Sequence, residues 1–147
     1  MELLSLTVGR LQENVYFLID ENKETLIFDP GAQAEDIKEL IEEEGLKPIA
    51  IVLTHAHGDH IGAVDELRKA YNIPMYMNEI EKEFLTNTDF NRSLYSKENI
   101  TVEPADGYYP AELGKWKIGS FEPELALIPG HSPGSTVFIF KDNGFVI

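Results

Sequence analysis

The apolar run Ile49-Ala50-Ile51-Val52-Leu53 passes without a break into Thr54-His55-Ala56-His57-Gly58-Asp59-His60. A short continuous apolar run of this kind reads as a buried strand. Side chains alternate along a strand, so His55 and His57 share one face and can grip a single ion. Asp59 and His60 follow where the chain turns toward a helix, and they can aim at a neighbouring position. Gly58 and Gly62 let the backbone turn tightly beside the cluster.

The bland alternative is a set of solvated turn residues, since an Asp beside a Gly is usually turn chemistry. The chain has four histidines and three stand in this one stretch, which that alternative leaves to coincidence. The fourth, His131, lies in Pro129-Gly130-His131-Ser132-Pro133-Gly134, again directly after an apolar run, Leu125-Ala126-Leu127-Ile128. It is therefore the candidate third ligand of the ion held by His55 and His57. Three protein ligands plus water is the pattern of a catalytic rather than a structural zinc site. Cysteine is absent, so any metal site must be built from histidine and carboxylate.

At 147 residues the chain reads as one domain. Its formal net charge of −14 disfavours both nucleic-acid backbones and anionic lipid surfaces as partners. Most of that charge reads as solvated faces such as Glu42-Glu43-Glu44. The N-terminus lacks the basic flank and apolar core of a secretion signal, and no apolar run approaches the ~20 residues of a membrane span. The expectation is a cytoplasmic protein acting on a small-molecule substrate. Oligomeric state leaves no signal in the sequence.

In chain order, Leu4, Leu6 and Val8 alternate as a half-buried strand. Val15–Ile19 and Thr25–Phe28 are two further strands joined by an Asp20-Glu21-Asn22-Lys23 turn. Asp29-Pro30-Gly31 ends this meander. Asp36–Glu44 is expected to be a helix, with Ile37, Leu40 and Ile41 on one face and Gly45 closing it. Ala63–Tyr71 is a second helix, Ile73–Met77 a short strand and Glu79–Leu85 a third helix. Thr86–Ser96 has no period. It is either a loop over a substrate site or a surface excursion whose Phe90, Leu94 and Tyr95 plug the core edge. Trp116-Lys117-Ile118, Leu125–Ile128, Thr136–Phe140 and Phe145–Ile147 are expected strands, the last two joined by the hairpin signal Asp142-Asn143-Gly144.

Thr-His-Ala-His-Gly-Asp-His at 54–60, with Pro-Gly-His-Ser-Pro-Gly-Ser at 129–135, resembles the metallo-β-lactamase superfamily. The second motif, Asp29-Pro30-Gly31 and Glu13-Asn14-Val15-Tyr16 look most like its glyoxalase II-like thioester hydrolases. The resemblance spans essentially the whole chain. It implies an α/β fold, the αββα metallo-β-lactamase sandwich, with metal at one edge between the sheets. It also implies one or two zinc ions, with iron or manganese as alternatives. Carried over by position, His55, His57 and His131 would bind the first ion, and Asp59 and His60 the second. Water activated at the metal would attack a carbonyl. Asp59 would also accept a hydrogen bond from that nucleophile and so count as catalytic. Asp29 is either a group that orients a ligand or a turn-former, and Thr54 reads as a plain strand residue.

Two ligands of the family pattern, a bridging Asp and a last His, have no counterpart before Ile147. The apolar ending Phe145-Val146-Ile147 is read as mid-strand, and the expectation is that the domain lacks its C-terminal part in this chain. The activity implied is thioester hydrolysis. The rivals are a lactonase, a mononuclear iron persulfide dioxygenase and a metal-binding module without catalysis. Nothing in the sequence signals a β-lactam carboxylate site, so β-lactam hydrolysis is not expected.

Overall fold

The computed structural model describes residues 1–94, 98–110 and 114–147. β1 (Glu2–Val8), β2 (Glu13–Ile19) and β3 (Glu24–Phe28) form the expected antiparallel meander. The Asp20 carboxylate builds the β2–β3 turn, its Oδ1 accepting from Asn22 N at 2.8 Å and Glu24 N at 2.9 Å. The chain then changes habit. β4 (Lys47–Val52) lies parallel to β3, and parallel neighbours require a crossover. α1 (Ala34–Glu43) makes that crossover, and Gly45, at φ +64°, turns the chain after it. α2 (Val64–Tyr71) leads to β5 (Met75–Met77), parallel to β4, and β6 (Gly107–Tyr108) lies parallel to β5.

These six strands form one sheet in sequence order. β7 (Gly114–Lys115), β8 (Glu124–Leu127), β9 (Thr136–Phe140) and β10 (Phe145–Val146) form a second, antiparallel sheet of four. The apolar residues divide by strand alternation. Phe17, Ile27, Ile51 and Met75 face Ile37, Ile41, Val64 and Leu67 of the helices. Leu18, Leu26, Phe28, Ala50 and Val52 face Phe121, Leu125, Phe138 and Phe140 of the second sheet. β4 is thus covered on both faces, which is why its sequence is apolar without alternation. Among the described residues both α-helices lie on the outer face of the six-stranded sheet. No helix among them is long and apolar enough to cross a membrane.

Glu79–Leu85 forms the expected helix, of the 3-10 type. Asn78 starts it by accepting Ile80 N at 3.0 Å through its side chain. Trp116-Lys117-Ile118 is not a strand. Pairing with β8 stops at Lys115, and Ile118 bridges only to Phe121. Trp116 reads as strand-like because it is aromatic, yet it packs its ring at 5.6 Å from Tyr76 and 5.5 Å from Tyr109 between the sheets. In Thr86–Ser96, Phe90 and Leu94 are 47% and 48% exposed and do not plug the core; Tyr95 and Ser96 lie outside the described residues.

Phe28 is fully buried and meets Phe138 of the opposite sheet edge-on at 5.3 Å. Phe28→Ala is expected to lower stability by about 3–5 kcal/mol in a denaturant titration. Leu11, 69% exposed, should tolerate Leu11→Ala within about 0.5 kcal/mol.

Candidate metal centre

The site forms where strands of both sheets end. β4 delivers residues 54–60, of which Gly58–His60 form a 3-10 turn, while the β8–β9 connection delivers His131. A backbone hydrogen bond from Thr136 N to Thr54 O, 3.0 Å, ties the two segments side by side. The ligand atoms of His55, His57 and His131 all lie within 4.8 Å of one another. The imidazoles carried by two remote stretches of sequence therefore meet, 74 residues apart in the chain.

The ring nitrogens are sorted by their neighbours. Thr54 Oγ1 donates to Asp29 Oδ2 at 2.5 Å and lies 3.2 Å from His55 Nδ1. With its own proton committed to Asp29, that oxygen serves His55 as an acceptor. This places the imidazole proton on Nδ1 and leaves Nε2 with a free lone pair. His55 Nε2 is buried and has no hydrogen-bond partner. His57 Nδ1 faces His131 Nε2 at 3.1 Å. Phe84 stacks on the His57 ring at 6.1 Å and 14°, which fixes its plane. Burial and the neighbouring imidazoles push both His55 and His57 down to about 4. Neutral rings are what a metal ion requires of imidazole. An orphaned buried nitrogen among three convergent imidazoles fits a cation.

His60 differs. Its Nδ1 lies 3.1 Å from Asp29 Oδ2 and 3.5 Å from Glu13 Oε1, near enough for ion pairs but without good hydrogen-bond alignment. Its Nε2 points to Asp59 Oδ2 at 3.4 Å. Burial works against a charge here, but Asp29, Asp59 and Glu13 outweigh it and push His60 up to about 9. Burial also pushes Glu13 up to about 8. The pocket of carboxylates calls for positive charge, which a proton on His60 or a metal ion would supply.

A second convergence joins Asp29, His55 and His60 within 4.8 Å. Asp29 is already engaged, its Oδ1 accepting Thr54 N at 2.7 Å and its Oδ2 accepting the Thr54 hydroxyl. Through Thr54 it orients His55, while standing 3.1 Å from His60 Nδ1 as a charge partner. Asp59 stands beside His60 but in neither convergence. Thr54, expected to be a plain strand residue, is instead the link between Asp29 and His55.

Sequence reasoning missed Glu81 and Arg92. Glu81 is 1% exposed and its carboxylate accepts from the backbone on both sides of the site. Nothing in the acidic string 79–83 marks which glutamate turns inward. Arg92, with Arg10, Leu11, Asn91, His57 and Asp59, lines a cleft of about 230 Å3 that opens onto His131. The loop docks there through Gly58 N, which donates to Asn91 O at 2.6 Å.

Two packed sheets with an imidazole triad at their shared edge define an α/β sandwich built to hold a metal ion. The sequence model of the metallo-β-lactamase superfamily matches residues 8–147, and the chain belongs to that superfamily. It is 43% identical over 148 residues to the probable metallo-hydrolase YqgX of Bacillus subtilis, covering all of this chain and 69% of YqgX. It is 30% identical to the hydroxyacylglutathione hydrolase GloC of Haemophilus influenzae, over 95% of this chain and 66% of GloC. The chain thus spans about two thirds of the length of these relatives. Among solved structures, BLEG-1, described as a B3 metallo-β-lactamase, superposes with a TM-score of 0.92 at 37% identity, covering 99% of this chain and 70% of BLEG-1. TTHA1623 in a di-iron-bound form superposes with a TM-score of 0.80 at 31% identity, over 97% of this chain and 69% of TTHA1623.

At pH 7, long-range 1H–15N spectra of the metal-free protein are expected to show neutral His55 and His57 rings and a protonated His60. The first two are held below the ordinary imidazole range and the third above it. A neutral His60 ring at pH 7 would contradict the charge balance described above.

Proposed function

We propose that the protein hydrolyses a small acyl thioester bearing an anionic group, with His55, His57 and His131 holding one metal ion and Asp59 and His60 facing a second. The observation that carries this is the convergence of three ring nitrogens, with His55 Nε2 buried and unpartnered. The relationship to a hydroxyacylglutathione hydrolase supports the thioester. Zinc suits two or three imidazoles with a carboxylate, and iron or manganese fits the same donors.

Bound metal would supply an activated water and polarise the scissile carbonyl. The chain's own groups do the rest. Asp59, on the cleft wall beside His57 and His131, accepts a hydrogen bond from the attacking water and keeps it in line. The water oxygen bonds to the carbonyl carbon, the C–S bond breaks, and the products are a carboxylate and a thiol. A thiolate is a good leaving group, so no strong acid is needed on its side.

Arg10 and Arg92 line the same cleft. Both carry positive charge in a chain with a formal charge of −14. They offer the substrate's distal anion its counter-charge.

The same pair gives a second reading some footing, because β-lactams also carry a carboxylate and BLEG-1 bears a β-lactamase description. Zinc-loaded protein should be assayed side by side on S-lactoylglutathione, a simple acyl-thioester panel, a lactone and a chromogenic cephalosporin. Thioester turnover lost in His57→Ala supports the proposal. Turnover of the cephalosporin alone overturns it in favour of the second reading, and zinc binding with no turnover of any substrate leaves a binding module. Arg92→Gln should raise KM for an anionic thioester about tenfold, the worth of one hydrogen bond to a charged group, with little change for a neutral one.

A further inference from the structure

Glu81 sits on the 3-10 helix Glu79–Leu85, directly behind β5. Its carboxylate is buried, and taking a charge out of water is costly unless it is fully hydrogen-bonded. Three donors satisfy it. Oε1 accepts from Ala56 N at 2.7 Å, and Oε2 accepts from Gly134 N at 2.6 Å and from the Ser132 hydroxyl. Hydrogen bonds to a carboxylate are among the stronger ones a protein makes.

The identity of the donors matters more than their number. Ala56 lies between His55 and His57; Ser132 follows His131, with Gly134 two residues beyond. One oxygen therefore holds the ligand segment of the six-stranded sheet, and the other holds that of the four-stranded sheet. Gly134 is a glycine for the same reason. A Cβ there would come within 2.8 Å of Glu81 Cγ and 2.9 Å of Oε2. The platform is stiff, since Asn78 caps the helix and Glu81 N donates to Asn78 O at 3.1 Å.

We propose that Glu81 is the positioning residue of the metal centre: its buried carboxylate sets the separation between the His55–His57 segment and the His131 segment. It hydrogen-bonds to no imidazole and acts through two backbone amides and the Ser132 hydroxyl. This rests on the reading that His55, His57 and His131 hold a cation. A carboxylate is required because both oxygens must accept. In Glu81→Gln the amide nitrogen faces either Ala56 N–H or Gly134 N–H, donor against donor, and one segment is released.

The test is competition of Zn2+ between the protein and a chromophoric chelator, with Co2+ absorption spectra as a second readout and thermal melting of the metal-free protein as a control. His131→Ala first checks the site itself. If the unaltered protein binds Zn2+ no better than His131→Ala does, the site reading fails and this inference falls with it. Given that binding, Glu81→Gln is expected to weaken Zn2+ about 10–100-fold and to shift the Co2+ bands, and Ser132→Ala to weaken it by a smaller factor. Folded Glu81→Gln with Zn2+ affinity within twofold of the unaltered protein overturns the proposal, whatever happens to its melting temperature. If Glu81→Gln does not fold, Ser132→Ala decides: affinity lowered severalfold supports the role, and unchanged affinity overturns it.

Discussion

The hydrogen bond from Thr136 N to Thr54 O joins the end of β4 to the start of β9, and with it the two sheets at the edge that carries the imidazole triad. Over most of their shared area the sheets meet through aromatic and aliphatic side chains, which fill space but are non-directional. Such a contact can slide by a fraction of an ångström at little cost, and a set of ligands cannot tolerate that. The edge is therefore pinned by polar bonds. Tyr109, buried between the sheets, donates its hydroxyl to Leu53 O at 2.7 Å, one residue before Thr54. Apolar burial brings the sheets together, and directional bonds at residues 53–56 set where they stop.

The two halves of the site solve opposite electrostatic problems. Around His55 and His57, burial and the other imidazoles outweigh the pull of Asp29 and Asp59, so the rings stay uncharged with lone pairs available. Around His60 stand Glu13, Asp29 and Asp59, and Glu13 has no well-formed hydrogen bond to either oxygen among the described residues. Keeping a carboxylate charged in that state is costly, and burial pushes Glu13 up to about 8. The fold accepts that cost where a cation would cancel it. A neutral pocket thus stands directly beside an acidic one.

The legible parts of the sequence were those governed by local rules. The meander β1–β3 follows from alternation and a turn peptide, α1 and α2 from a 3.6-residue period, and the His cluster from ligand density at a strand end. His131 was reachable because the chain has no other histidine to offer. What stayed hidden depends on three-dimensional surroundings. Trp116 looks like strand but is held by aromatic rings from three separate segments, Tyr76, Tyr109 and Phe138. Thr54 gains its role only when β3 lies beside β4 and brings Asp29 within 2.5 Å. Glu81 is one acid among several in its helix, and only the approach of both ligand segments turns it from a solvated charge into a buried one.

The geometry of the triad explains why the nitrogens are used unequally. Two imidazoles on one strand face start from nearly parallel positions, and if both pointed the same nitrogen forward they would reach side by side rather than converge. Here His55 is tied back through Nδ1 to Thr54 and offers its far nitrogen, while His57 offers its near one. The rings stand almost perpendicular, at 86° with centroids 5.0 Å apart. His131 closes the third side, its ring at 80° to His55 and 74° to His57. Near and far nitrogens thus compensate for the different offsets of their backbones. The tautomer that Thr54 and Asp29 impose on His55 is therefore part of the geometry: with its proton on Nε2 that ring would offer its lone pair toward Thr54 and away from the other two rings.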